Sequence, residues 1–146
     1  MNSLSELYKT IKEFSESHNM VNEFLLLGSE EEINSIEFNY RSLIMIPLEA
    51  NLSRELSSPI YTLDFGIIVI DRIPENNALS SILSSEENIN VIGQLQDYLI
   101  QLDKDVNFQN VELSTAISED YNLNVAIADF SINIAREPYI KDIDID

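Results

Sequence analysis

The chain has 146 residues, 45% hydrophobic and 23% charged, which fits one globular domain with a sizeable core and excludes a disordered chain. Eight Lys and Arg face 26 Asp and Glu, a formal charge of −18, which argues against direct nucleic-acid binding and against docking on anionic lipid. With no cysteine there is no disulfide, thiol nucleophile or thiolate metal site, and no apolar run approaches the roughly 20 residues that span a bilayer.

The first segment predicts a helix. Ser3 is placed to cap it, Glu6 completes a capping box, and Leu4, Leu7, Tyr8, Ile11 and Phe14 recur at helical spacing. This opening has neither the basic nor the apolar region of a signal peptide, so the expected home is a cytosol or an assembly built in one. The polar run Ser15 to Asn19 ends the helix. Val21 to Leu27, stopped at Gly28, reads as a short strand or the end of a second turn of helix, the strand being preferred, and Ser29 to Asn34 as an acidic, solvated loop.

Tyr40 to Ile46 is β-branched and apolar, a strand closed by Pro47. Ile60 to Ile70 is a longer strand. It starts with alternation and becomes apolar on both faces after Gly66, as a central strand covered on both sides does. Between them lie the twelve residues Leu48 to Pro59, long for a hairpin loop and so either functional or partly extended. Asp71 to Asn77 reads as a loop. Ser84 and Glu87 then form a second capping box, opening a helix with a stripe of Ile89, Ile92, Leu95, Leu99 and Leu102, widened by Val91, Tyr98 and Ile100.

The last third predicts a hairpin: Val111 to Ile117, a polar turn over Ser118 to Asn122, and a return strand from Leu123. The return strand changes parity, from Leu123, Val125 and Ile127 to Phe130, Ile132 and Ile134. That slip predicts a β-bulge near Ala128-Asp129. After Pro138, isoleucine alternates with aspartate to Asp146. Three isoleucines do not offset the ordering entropy of a lone strand, so residues 136–146 read as an extended acidic arm that pairs with a neighbour's sheet edge. The fold expected is α+β: a single domain over 1–135 with a mainly antiparallel sheet, two helices packed on one face, and the C-terminal arm.

The residues offer little chemistry. His18, the only histidine, sits in a polar run at a helix end, where a cation suits the macrodipole, and no nucleophile stands beside it in the sequence. Asp142, Asp144 and Asp146 echo the start of a calcium loop, but neither its glycine nor its closing Glu follows, and a solvated edge is the better reading. Asp64 and Asp129 interrupt apolar strands; such carboxylates more often point outward than pair for acid–base work. No phosphate-cradling glycine motif and no HExxH occurs. No catalytic residue, metal or cofactor is expected.

Four stretches together resemble a known layout: the helix Leu4 to Ile11, the proline-ended strand Ser42 to Pro47, the strand and loop Tyr61 to Arg72, and the last strand Asn124 to Ile134. The pattern resembles small head–tail connector proteins of tailed bacteriophages (neck, ring and tail-terminator components), above all those of crAss-like phages. Departures are a shortened acidic loop at Glu30 to Asn34 and no glycine–aromatic pair near Asp129. The resemblance implies a virion protein that is not an enzyme, assembled in the host bacterial cytoplasm. It would form a homo-oligomeric ring of six or twelve copies, stacked on the portal or on neighbouring neck or tail rings. DNA would pass through without specific binding, and no membrane would be involved. A ring needs a heterologous, closing contact, and the long loop and the arm are placed to supply it. The candidate interface is therefore Leu48, Leu52, Arg54 and Pro59 in the loop, with Pro138, Tyr139, Ile140, Ile143 and Ile145 in the arm. Excess carboxylates would make the lumen repel phosphate. The competing reading is a small acidic DNA mimic or inhibitor of a host protein, which would carry its carboxylates in two rows spaced like phosphates.

Overall fold

The structure is a computed structural model, and it describes residues 3–29, 32, 39–52, 60–73, 78–102, 114–118 and 123–135. The predicted 136–146 arm, the 119–122 turn, most of the acidic loop and the 74–77 loop lie outside the described residues. Within them the fold is α+β, with two helices and a five-stranded, mostly antiparallel sheet.

Helix α1 runs Leu4–Ser17. Ser3 caps it with extended backbone, its Oγ accepting the Glu6 N–H at 3.0 Å. Leu7, Ile11 and Phe14 make the buried stripe. At the far end the hydroxyls of Ser15 and Ser17 donate back to the carbonyls of Ile11 and Phe14, at 2.9 and 3.1 Å. They compete for the backbone just where the helix stops. Replacing Ser3 with alanine strands the Glu6 N–H and should cost about 1 kcal/mol in a thermal or urea melt.

The sheet holds β1 (Glu23–Leu26), β2 (Ser42–Leu52), β3 (Ile60–Arg72), β4 (Ser114–Ser118) and β5 (Leu123–Ala135) in the order β1-β2-β3-β5-β4. Only β1 and β2 run parallel. As predicted, β3 is central and buried on both faces from Phe65 to Ile70. On one face, Leu43, Met45, Phe65, Ile67, Ala128 and Phe130 meet both helices. Phe65 and Phe130 are opposite each other in register and stack there, ring centroids 5.3 Å apart. On the other face, Ile44, Ile46, Ile68 and Ile70 form a second cluster with Leu27, edged by Leu25, Tyr40, Val125 and Ile127.

Three expectations are corrected. Pro47 does not close its strand. β2 continues to Leu52, and the register shifts between Pro47 and Glu49, which leaves Leu48 as the extra residue of a bulge. The Met45 carbonyl accepts the Leu27 N–H at 3.0 Å, so by alternation Pro47 also faces the β1 side, just past the end of β1. No ladder bond is lost at an edge position. Of the predicted 48–59 loop, residues 48–52 are therefore strand, and 53–59 lie outside the described residues.

The second correction concerns β5. It pairs with β3 without a break from Ala135↔Ile60 to Leu123↔Arg72, so there is no bulge at Ala128-Asp129. Both parities are apolar because both faces are covered over the first half of the strand. Ala126 and Ala128 face the helices while Val125 and Ile127 face the second cluster; further on, Asp129, Ser131 and Asn133 make the second face polar.

The third is helix α2, which runs Ala78–Leu102 rather than starting at Ser84. Its buried side is Ser84, Asn88, Val91, Ile92, Leu95 and Leu99, while Ile89, Ile100 and Leu102 of the predicted stripe turn outward. α2 lies over β3 and β5, and α1 packs on β1 and α2.

Candidate assembly surface

Among the described residues the sheet is five strands wide at one end and three at the other: β1 pairs with β2 as far as Met45, and β4 pairs with β5 from Leu123 to Ile127. Among the described residues, then, β2 beyond Ile46 and β5 from Ala128 to Ala135 each have β3 on one side and no strand on the other. Such edges present unpaired N–H and C=O groups, a template for an added strand.

The two edges are not equivalent. β2 is blunted by Pro47 and by the bulge at Leu48, devices that break a ladder. Over Ala128 to Ala135, β5 carries no proline, no glycine and no register shift against β3, and among the described residues it forms a straight edge about 27 Å long at 3.4 Å per residue; residues 103–113, which include 111–113 of the predicted strand, lie outside them. Beside these edges the outer face is polar. Thr62 Oγ1 donates to Asn133 Oδ1 at 2.9 Å, and Glu49 stands opposite Asp64, with Asp129 exposed across from Gly66. Like charges directly opposite each other weaken a pair of strands, so Glu49 and Asp64 do not stabilise the β2–β3 pairing.

Of the sequence-predicted interface, Leu52 ends β2 at this narrow end, opposite Tyr61, with 73% of its surface exposed. Leu48 is the bulge residue. Arg54, Pro59, Pro138, Tyr139, Ile140, Ile143 and Ile145 lie outside the described residues. Asp64 and Asp129 share the outer face of the sheet. His18 caps α1: its Nδ1 accepts the Met20 N–H at 3.1 Å and its Nε2–H reaches Gln94 Oε1 on α2. Both ring nitrogens are thus engaged in holding the helix end.

At the opposite, wide end the structure contains a polar knot with no forewarning in the sequence pattern. Arg41, 6% exposed, donates through Nε to Asn88 Oδ1 at 2.7 Å and through Nη2 to Asp71 Oδ2 at 2.9 Å and to Glu87 Oε2. Ser84 Oγ donates to the same Asp71 oxygen at 2.7 Å. Asn88 donates to the Asn124 carbonyl, and Asn124 donates to Ser81 O and Ser85 Oγ. The Ser84–Glu87 pair that reads as a cap is therefore half of a network tying α2 to the ends of β2, β3 and β5. Arg41, Ser84, Asn88 and Asn124 are buried, while Asp71, Ser81 and Ser85 are partly exposed and the Glu87 carboxylate more so.

Among the described residues no cluster of His, Asp and Glu could hold a metal ion, and no helix is long and apolar enough to cross a membrane. No protein-family model and no curated protein matches the chain.

Proposed function

We propose that the protein is a structural component of a tailed-bacteriophage virion. It would form a homo-oligomeric ring of six or twelve copies at the head–tail junction, in the neck, collar or tail, as part of the DNA conduit. The observation that carries the assembly reading is that, among the described residues, β5 from Ala128 to Ala135 has β3 on one side and no strand on the other, with no proline or glycine along it. An arm from the next copy, residues 138–146 with isoleucine alternating with aspartate, matches that edge in length and in period. Each subunit then gives an arm and receives one, a heterologous contact that closes into a ring. The virion placement rests on the resemblance of the strand and helix layout to head–tail connectors. Portal or neighbouring ring proteins are the expected partners.

The acidic surface fits a conduit that does not hold DNA. Carboxylates on the outer face of the sheet, such as Glu49, Asp64 and Asp129, repel phosphate. A DNA mimic would need its acids in rows. The described ones are scattered over α1 (Glu6, Glu13, Glu16), α2 (Glu86, Glu87, Asp97) and the sheet, which favours the structural reading.

Sedimentation velocity on three proteins tests the proposal. The intact chain should sediment as a ring, and the chain lacking residues 138–146 as a monomer with an unchanged melt. Leu52→Asp, at a surface position, should keep its stability within about 0.5 kcal/mol yet weaken the ring. An intact ring in both variants would refute the arm-and-edge contact.

A further inference from the structure

We infer that the outer face of α2 is a docking site for a cationic amphipathic helix. Leu79, Glu86, Gly93 and Ile100 recur every seven residues along α2, and Ile82 and Ile89 follow the first two of them by three. This alternation of three and four is the seam one helix offers another. It lies opposite the buried side formed by Ser84, Asn88, Val91, Ile92, Leu95 and Leu99. Leu79, Ile82, Ile89 and Ile100 are all exposed, Ile82 by 63%. Single exposed apolar side chains are ordinary, but four that recur along one helix face, here with Glu86, Gly93 and Gln96 between them, mark an interaction surface. Ile82, Glu86 and Ile89 also line an open groove with Ser81, Ser85 and Asn90.

Gly93 sits within the seam. A Cβ there would meet nothing within 4 Å, so no contact among the described residues calls for glycine, and in a helix interior alanine is the better residue. A missing side chain at that point leaves room for close approach of a second helix.

Charge names the occupant. The 25 residues of α2 contain Glu86, Glu87 and Asp97 and no Lys or Arg. Glu87 is engaged by Arg41, whereas Glu86 and Asp97 stand among the seam residues with no cationic partner among the described residues. A second α2 would set acid against acid, and the whole chain carries 26 acids against eight bases. A helix with an apolar stripe flanked by Lys or Arg satisfies both the isoleucines and the carboxylates. This surface is separate from the sheet edges, and the inference does not depend on ring formation.

The test is a fluorescence-anisotropy titration of the full chain with a labelled peptide of three heptads, leucine at the two core positions and lysine elsewhere. The peptide should bind, and less tightly as salt rises. Ile82→Ser/Ile89→Ser, which leaves the charge unchanged, and Glu86→Gln/Asp97→Asn should each weaken binding about tenfold, with melts like that of the parent. Glu13→Gln/Glu16→Gln, the same charge change on α1, should not. Equal affinity for the parent and the Ile82→Ser/Ile89→Ser variant would overturn the inference, because net charge alone would then account for binding. A parent dimer that falls to a monomer in that variant would also overturn it, by assigning the face to a second copy.

Discussion

Phe130→Ala is expected to cost about 3–5 kcal/mol, the range for deleting a fully buried ring. Phe130 is 1% exposed and stacks on Phe65 at the centre of the cluster that joins the helices to the sheet. Truncation loses the transfer energy of the ring and its stacking partner, and it leaves a cavity under close-packed neighbours. The pair spans β3 and β5 in register, so neither strand can shift to fill the gap without breaking the ladder. Domains of this size are stable by only about 5–15 kcal/mol, so the variant would be marginal. Urea unfolding should show a lower midpoint with an unchanged slope. A loss below about 1 kcal/mol would contradict the central place given to this pair.

The second large effect is expected at Arg41. Arg41→Ala removes one guanidinium and takes a partner from two groups at once: Asn88 Oδ1, on a fully buried residue, and the Asp71 carboxylate, 20% exposed. Breaking a buried ion pair by deleting one partner costs about 3–5 kcal/mol, mostly the penalty of the charge left behind. Here the lower part of that range applies. Asp71 keeps the Ser84 hydroxyl, and Glu87, 45% exposed, is solvated without the pair. A loss of about 3 kcal/mol is expected in a urea melt. Arg41→Lys should recover only part of it, because one ammonium does not reproduce the Nε and Nη2 contacts together. A double-mutant cycle of Arg41→Ala with Asp71→Ala should give a coupling of about 0.5–3 kcal/mol, and additive losses would mean that the two side chains do not act as a pair.

The fold class was legible from the residues, and the reason is periodicity. Ser3 and Glu6, followed by Leu7, Ile11 and Phe14, signal a helix start and one buried face. The switch from alternating to all-apolar at Gly66 marks the middle strand. The misreadings share a cause: a local rule has more than one structural use. Proline ends a strand when its missing N–H is needed by a neighbour, but Pro47 sits beyond the end of β1, where no neighbour needs it. A change of parity signals a bulge when one face is wet, but β5 has both faces covered in its first half. The bulge instead lies in β2 at Leu48, where the flanking residues carry no parity signal strong enough to show it. Ser84 and Glu87 have the spacing of a cap and the spacing of two helix positions that look down on the ends of β2 and β3; contacts with Asp71 and Arg41, distant in sequence, decide between them.

The surface was less legible than the core. Leu52, singled out by its place in a long connection, ends β2 with most of its surface exposed. The edge that β5 presents among the described residues is a relation between β4 and β5 that no single segment encodes. The outward isoleucines of α2 were assigned to its buried side because a stripe of isoleucine usually is core; the true buried side is completed by Ser84 and Asn88, polar residues that an apolar count passes over.

Assembly of the purified chain is the decisive property. Its mass should be measured by light scattering from low to high protein concentration and at two salt concentrations. A species of six or twelve chains is predicted. Its population should rise with concentration and with salt, because salt screens the repulsion between subunits of charge −18. A mass of one chain under every condition, or a ring that weakens steadily as salt rises, would contradict the account.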